Sequence, residues 1–346
     1  MQVAMVGAGG LGGLYGGLLA RSGLDVTFIA RGRNLEALRE HGLSVTRKSG
    51  EAFQVTVRAT DDPRDVGPVE LIWFCVKTYD LEGAARQALP LVGAETLALP
   101  IQNGVEAPET LGEILGREHA LGGVGRAGAT LVAPGRVQEK SDVAAVAFGE
   151  LDGGTSARTE RLGAVLEQAG IEAALMPDIQ VNLWDKFVQA CAVFGLDALL
   201  RFPESTYLRH AETAALLRGL MQEVYEVGRA RGVRLPEDTV DRLFSGVSAL
   251  FDRNPSFHSS MYHDIMAGRP LEIEAASGAA VRLGRQYGVP TPLNFAMYAA
   301  LKPFAAGMPS EAARTAGIFQ SGRPPLQTSS PPRGHMFAVS VKNRRR

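Results

Sequence analysis

Short apolar runs alternate with segments of helical spacing over about the first 177 residues. Such alternation is typical of parallel strands joined by helices. The runs at 71–76 and 96–99 are apolar throughout, as expected of strands that are buried on both faces. The pattern predicts an α/β domain built on one sheet, and the segment at 171–176 is the last strand, which closes that sheet. Its strands are predicted at 2–6, 25–30, 43–46, 53–58, 71–76, 96–99, 119–124, 129–132, 136–139, 144–148 and 171–176.

Beyond about residue 178 the strand pattern disappears, and apolar residues recur at helical spacing. Proline pairs, serines and terminal arginines mark the stretch after residue 307, a composition that cannot bury a core. We therefore predict an α/β domain at 1–178, an all-α domain at 179–306 and a disordered tail at 307–346, with a short partner-binding motif as the alternative for the tail. Helices of the second domain are predicted at 181–200, 211–231, 238–250, 271–287 and 293–304.

Composition excludes several classes of protein. A chain of 346 residues, 45% of them hydrophobic, is long enough for two cores. The net charge of −1 without a basic stripe argues against a nucleic-acid partner. No apolar run predicts a membrane span, and the chain begins directly with a strand, so a cytoplasmic protein is expected. Cys75, Cys191 and the scattered histidines predict neither a disulfide framework nor a metal site. A homodimer is compatible with the apolar helical domain, although no pattern specifies an interface.

The first strand leads into a glycine turn, Gly7-Ala8-Gly9-Gly10-Leu11-Gly12, and then into an apolar helix. Strand, glycine turn and helix in this order are typical of the dinucleotide site of a Rossmann-type domain. Gly7 would allow the tight turn, Gly9 would let the backbone approach a pyrophosphate, and Gly12 would let helix and strand pack closely. The alternative is a purely structural turn, because a chain with 40 glycines produces chance matches.

The residues after the second strand indicate which dinucleotide binds. An acidic residue near this point would hold the ribose 2′-hydroxyl of NAD, but the chain has Arg31 and Arg33 instead. A guanidinium suits a 2′-phosphate, so we expect NADP(H) as the cofactor. The alternative is that both arginines are solvated loop charges.

Further polar residues follow strands or interrupt apolar helices. Lys77 and Asn103 follow two buried strands, in the region where ligands bind in an open α/β sheet, so they are candidates for cofactor binding; both could instead serve turns. Lys186 interrupts a largely apolar helix, which is costly unless the lysine is paired, functional or reaches the surface. Glu272 and Glu274 follow Pro270, where they could simply stabilise the start of a helix.

Taken together, these residues make the chain resemble the ketopantoate reductase (2-dehydropantoate 2-reductase) family over about residues 1–304. The family fold is a Rossmann domain followed by a helical domain, with the active site in the cleft between them, and we expect the helical domain at 179–306 to serve substrate binding and dimerisation. The resemblance implies that Lys186 is the catalytic acid, supported by Glu272, and that Ser260 contacts substrate. It also implies that Asn103 lies at the nicotinamide and substrate, and that Lys77 contacts cofactor or substrate. The matching segments are the glycine turn, residues 29–32, 76–77, 102–105, 183–186, 259–261 and Glu272.

The expected reaction is NADPH-dependent reduction of ketopantoate to pantoate in pantothenate biosynthesis, with a hydride passing to C2 and Lys186 protonating the alkoxide. The family usually carries asparagines four and eight residues after this lysine, whereas this chain has Ala190 and Phe194. A paralogue that reduces another 2-oxo acid is therefore an alternative. A 3-hydroxy acid dehydrogenase and a non-catalytic NADPH-binding sensor also stay open.

Overall fold

The protein is described by a computed structural model, which covers residues 1–202 and 208–309. The tail predicted at 307–346 lies outside the described residues from residue 310 onward. The strands are β1 (Gln2–Val6), β2 (Asp25–Ile29), β3 (Leu43–Thr46), β4 (Ala52–Val55), β5 (Arg58–Thr60), β6 (Leu71–Phe74), β7 (Leu97–Pro100), β8 (Leu121–Arg126), β9 (Ala129–Ala133), β10 (Arg136–Glu139), β11 (Ala145–Glu150) and β12 (Glu172–Leu175). The helices before residue 178 are α1 (Gly10–Arg21), α2 (Gly32–His41), α3 (Leu81–Gln87), α4 (Ala107–Leu115) and α5 (Ala157–Gln168).

The first sheet has five parallel strands in the order β5-β2-β1-β6-β7. The chain moves from β1 to one side and later returns to the other side at β6, so the strand order reverses between β1 and β6. In open α/β sheets the crevice for a ligand opens at such a reversal, beyond the carboxyl ends of the strands. Tyr15 of α1 stacks on Trp73 of β6 with ring centroids 4.7 Å apart, so α1 packs against the sheet through this aromatic pair.

The prediction that all of these strands belong to one sheet was wrong. The remaining strands form a four-stranded sheet, β4-β3-β10-β9, and a three-stranded sheet, β12-β11-β8, to which the segment at 171–176 belongs. The strand predicted at 53–58 is two strands, because β4 pairs antiparallel with β3 whereas β5 pairs parallel with β2. A parallel bridge between Ala98 and Ala120 connects β7 to the start of β8, so the carboxyl ends of both strands lie at the same edge.

The second domain is helical, as predicted, and contains α6 (Ile179–Leu200), α7 (Ala211–Ala230), α8 (Thr239–Arg253), α9 (Ser260–Met266), α10 (Ser277–Tyr287) and α11 (Pro292–Leu301). These helices share one hydrophobic core, in which α6 is buried along most of its length. The predicted fold class, an α/β domain followed by an all-α domain, is therefore confirmed. Within the described ranges, no helix combines the length and apolar character needed to cross a membrane.

Two local predictions in the helical domain need correction. The helix predicted at 271–287 begins only at Ser277, because Glu272–Glu274 form a 3₁₀ turn. Glu272 is buried against residues of the other domain and so does not stabilise the start of a helix. The short helix α9 had not been predicted; the Ser259 hydroxyl caps it by accepting a hydrogen bond from the Tyr262 N–H.

Candidate active site

The glycine turn between β1 and α1 needs glycine for two different reasons. Gly7 has φ = +102°, which side chains rarely adopt, and a Cβ there would lie 2.9 Å from the Val76 backbone nitrogen. A Cβ on Gly12 would overlap the Gly7 carbonyl oxygen, and one on Gly10 would overlap the Ala129 carbonyl oxygen. A Cβ on Gly9, in contrast, would have no protein atom within 4 Å. Gly7, Gly10 and Gly12 are thus required by the packing, whereas Gly9 borders open space.

The open space lies at the N-terminus of α1. Gly9 is the N-cap and offers no side chain to the helix, so the first N–H groups of α1, including that of Leu11, point to this space without a cap. Such a helix end attracts an anion through its N–H groups and its dipole. Asn34 holds the turn, because its Nδ2 donates to the Ala8 carbonyl and its Oδ1 accepts from the Gly135 N–H, both at 2.8 Å. The residues present therefore fit a dinucleotide pyrophosphate.

Arg31 stands at the carboxyl end of β2 and is the N-cap of α2. Its side chain is 87% exposed and lies 3.4 Å from the carboxylate of Asp80. A loose ion pair at this exposure holds the guanidinium only weakly, so it is free to turn to a ligand. Arg33 is exposed as well.

On the other side of the crevice, three of the predicted site residues come together. Lys77 follows β6, Asn103 follows β7, and Glu272 comes from the 3₁₀ turn of the helical domain. The Glu272 Oε2 accepts hydrogen bonds from Lys77 Nζ and Asn103 Nδ2, both at 3.1 Å, and its Oε1 accepts from the Thr78 N–H at 2.9 Å. Glu272 is only 7% exposed. The contacts therefore fix a buried carboxylate between the two domains.

Asp264 joins this cluster, although no sequence pattern distinguishes it. It lies on α9, is 5% exposed and accepts from Lys77 Nζ at 2.9 Å and from Arg269 Nε at 2.8 Å. Burial opposes the charge on Lys77, but Glu272 and Asp264 together raise the pKa of Lys77 above its ordinary value. Lys77 is therefore a permanent cation that binds two carboxylates of the other domain.

Two neighbours of Asn103 position this cluster. The Gln102 side-chain amide donates to the carbonyls of Phe74 and Val76 at 2.9 and 3.0 Å, which fixes the segment that leads to Lys77. Gly104 has φ = +86°, and a Cβ there would lie 2.6 Å from the Ala275 carbonyl oxygen. The loop after β7 can therefore approach the 3₁₀ turn that carries Glu272.

Lys186 lies on α6, opposite the end of β8. Its Nζ donates to the Gly125 carbonyl at 3.2 Å. Burial, together with the positive charge of Arg126, lowers the pKa of Lys186 from 10.5 to about 8, against an opposing effect of Glu272. Lys186 is thus close enough to Glu272 to respond to its charge, and it is a cation that can release a proton near neutral pH.

The structure does not bring every predicted site residue into direct contact. Ser260 is the exposed first residue of α9, and among the described residues no hydrogen bond joins it to the cluster around Glu272. Ala190 and Phe194 follow Lys186 at one and two turns along α6. Ala190 is 8% exposed and Phe194 packs against the helical core, so neither offers a hydrogen bond to a substrate hydroxyl.

Three residues of this region had been missed: Asn34, Asp264 and Arg126. Asn34 and Asp264 are polar residues on amphipathic helices, where a solvated position is the ordinary expectation. Only their long-range partners distinguish them, and no sequence periodicity reports such contacts. Arg126 ends an otherwise apolar strand, and a charged residue at the carboxyl end of a strand is a sequence signal for a ligand-binding residue.

Comparison with known proteins identifies the family. The model of the ketopantoate reductase PanE/ApbA family matches residues 3–153, and the model of its C-terminal part matches residues 178–305. The 2-dehydropantoate 2-reductase of Archaeoglobus fulgidus is 30% identical over 293 residues, which cover 85% of this chain and 94% of that protein. The crystal structure of 2-dehydropantoate 2-reductase from Geobacter metallireducens GS-15 is 31% identical with a TM-score of 0.81, and the match covers 87% of this chain and 99% of that one.

A structure of D-mandelate dehydrogenase with NADH and anilino(oxo)acetate also has a TM-score of 0.81, over 87% of this chain and 97% of that one. At 23% identity this likeness concerns the fold alone. The family models together match most of the chain, in the order glycine turn, sheet and helical domain described above. The resemblance inferred from the sequence is thereby confirmed: the chain belongs to the ketopantoate reductase PanE/ApbA family of nicotinamide-dinucleotide-dependent oxidoreductases.

Proposed function

We propose that the protein reduces a 2-oxo acid to the corresponding 2-hydroxy acid with NADPH. Ketopantoate is the first candidate substrate, and the reaction would then supply pantoate for pantothenate biosynthesis. The observation that carries the proposal is Lys186, whose pKa of about 8 lies near neutrality, beside the crevice at the strand ends. The naming of relatives as 2-dehydropantoate 2-reductases supports the choice of substrate.

In this proposal Lys186 is the general acid. Its ammonium stabilises the negative charge that develops on the C2 oxygen and then donates a proton to it. The Gly125 carbonyl takes one of the three N–H groups and so orients the other two. The nicotinamide cofactor, when bound, supplies the electrons and the hydrogen for C2.

Glu272 and its partners hold the other side of the crevice. Lys77, Thr78 and Asn103 all donate to the Glu272 carboxylate and so fix its position, and the effect of Glu272 on Lys186 favours the protonated form of that lysine. Asn103 uses one N–H for this contact, and its carbonyl oxygen and second N–H can bind substrate or nicotinamide. Ser260, exposed at the start of α9, is proposed as a substrate contact.

We expect Arg31→Ala to raise the Kd for NADPH by about 10- to 100-fold and to leave the Kd for NADH nearly unchanged, since a charge-assisted contact to the 2′-phosphate would be lost. Fluorescence titration of wild type and variant with both cofactors measures this. Arg33→Ala, in the first turn of α2, shows whether the second arginine shares the role. Equal loss of affinity for NADPH and NADH would contradict the assignment of Arg31 to the 2′-phosphate.

The function itself is tested by the loss of NADPH absorbance with ketopantoate and a panel of other 2-oxo acids, with Lys186→Ala as the control. We expect Lys186-dependent turnover of at least one acid. Rapid turnover of ketopantoate would support the pathway assignment despite Ala190 and Phe194. Preference for another acid would favour the paralogue, which the two apolar side chains make the second candidate. NADPH binding without turnover of any acid would overturn the reductase proposal in favour of a sensor.

A further inference from the structure

Arg126 lies at the carboxyl ends of the strands, on the same side of the molecule as the proposed active site. It is the last residue of β8, and its neighbour Gly125 holds Lys186 through the backbone carbonyl. The bridge between Ala98 and Ala120 aligns β8 with β7, so the carboxyl end of β8 lies on the side of the sheet where Asn103 follows β7. Arg126 is exposed there.

The alternation of residues along β8 decides which way the arginine faces. A Cβ on Gly122 would lie 2.7 Å from Ile179 of α6, whereas Cβ atoms on Gly123 and Gly125 would approach Leu99 and Ile101 at 2.7 and 3.3 Å. Even-numbered positions therefore face α6, and Arg126 is on that face. This places it beside Lys186, in agreement with the effect of its charge on that lysine.

A cavity of about 660 Å³ opens beside Arg126. Arg126 lines it together with Ala145 and Ala147 of β11 and with Asn182, which lies one helical turn before Lys186. Glu167 and Glu172 also line the cavity; Glu172 lies on β12 in the same row of the sheet as Arg126, two strands and therefore about 10 Å away. Among the residues that the structure describes, no ion pair is formed by Arg126.

Arg126 and Lys186 are neighbouring cations, and two neighbouring cations favour an anionic ligand. In a 2-oxo acid the carboxylate is bonded directly to the carbonyl carbon, so one cation can bind the carboxylate while a neighbouring proton donor serves the carbonyl oxygen. Arginine stays protonated and can bind a carboxylate through two parallel hydrogen bonds, whereas a lysine can transfer its proton. Arg126 and Lys186 divide the two tasks in this way.

We propose that Arg126 binds the carboxylate of the 2-oxo acid at the mouth of this cavity and so directs the C2 carbonyl toward Lys186. The proposal rests on the proposed function and names the residue that selects for an acid. It predicts a preference for charged substrates over neutral compounds of the same shape.

The test compares an acid with its own primary amide. Ketopantoate, or the panel acid that the wild type reduces fastest, is assayed beside the amide for wild type, Arg126→Gln and Arg126→Lys. We expect Arg126→Gln to raise the KM for the acid by about 10- to 100-fold and to leave the kinetics of the amide almost unchanged. Arg126→Lys should recover part of the loss, because it keeps the charge without the paired geometry.

Arg285→Gln, an exposed position in the last turn of α10, is the matched control, and thermal melting checks that each variant is folded. Calorimetric titration with the 2-hydroxy acid that corresponds to the assayed substrate, in the presence of NADP⁺, gives a readout that does not depend on turnover; weaker binding in Arg126→Gln alone supports the proposal. An equal rise in KM for acid and amide would reveal a structural role and overturn the proposal. Weaker NADPH binding by Arg126→Gln with an unchanged KM for the acid would also overturn the proposal.

The same series separates the two proposals. If the wild type reduces the acid in a Lys186-dependent manner and Arg126→Gln behaves like wild type, the reductase assignment stands and the role of Arg126 is refuted. If the wild type reduces no 2-oxo acid, both are refuted.

Discussion

Lys186→Ala is expected to lower kcat/KM for reduction of the 2-oxo acid by about 10²- to 10⁴-fold, the usual contribution of a general acid. NADPH binding should be unchanged, because the glycine turn and Arg31 lie on the other domain. Steady-state kinetics and a fluorescence titration with NADPH measure the two effects. Lys140→Ala, an exposed lysine after β10, is the control and should behave like wild type.

The pH profile distinguishes an acid from a lysine that only binds substrate. With a pKa of about 8, Lys186 loses its proton above that pH, so kcat/KM should fall on the alkaline side of about pH 8. Arg126 lowers this pKa and Glu272 raises it. The alkaline limb should therefore move to higher pH in Arg126→Gln and to lower pH in Glu272→Gln. Full activity of Lys186→Ala, or a limb that neither variant moves, would refute the role of Lys186 as the acid.

The second large effect is expected in the glycine turn, where two alanine substitutions should fail in different ways. Gly12→Ala forces a Cβ into the Gly7 carbonyl oxygen, so we expect a loss of stability at or above the range of about 1–3 kcal/mol seen for overpacked cores. Gly9→Ala meets no protein atom and has an ordinary φ of −78°, so the fold should stay as stable as wild type. Its methyl group would enter the space assigned to the pyrophosphate, and NADPH affinity should fall.

Thermal melting with and without NADPH separates the two variants. In Gly9→Ala the melting temperature without cofactor should equal that of wild type, and the stabilisation on adding NADPH should shrink. In Gly12→Ala the melting temperature should already be lower without cofactor. Undiminished stabilisation of Gly9→Ala by NADPH would place the pyrophosphate elsewhere.

The sequence could predict those parts of the fold and site that depend on local pattern. Lys77 and Asn103 follow buried parallel strands, and strands in one sheet bring their carboxyl ends to one edge. The two residues were therefore expected near each other, and both bind Glu272. The glycine turn was predictable for the same reason, since strand, turn and helix are adjacent in the chain.

Contacts between the two domains could not be predicted from local sequence patterns. Lys77 and Glu272 are 195 positions apart, and the period of a helix or strand says nothing about pairs at that separation. Pro270 and two glutamates resemble a helix start, but the Glu272 carboxylate binds groups of the other domain, and α10 starts later. The separate three-stranded sheet was missed because strand periodicity reports burial and does not report which strands pair.

Lys77 also has a consequence for how the crevice opens. It comes from the loop after β6, whereas Asp264 and Glu272 belong to the helical domain, so one ammonium group ties the two halves together. Separating the halves would hydrate all three charges, and dissolved ions screen hydrated charges far better than buried ones. If the two halves separate, added salt favours the separated state, so we expect ionic strength to influence how readily ligands leave the crevice.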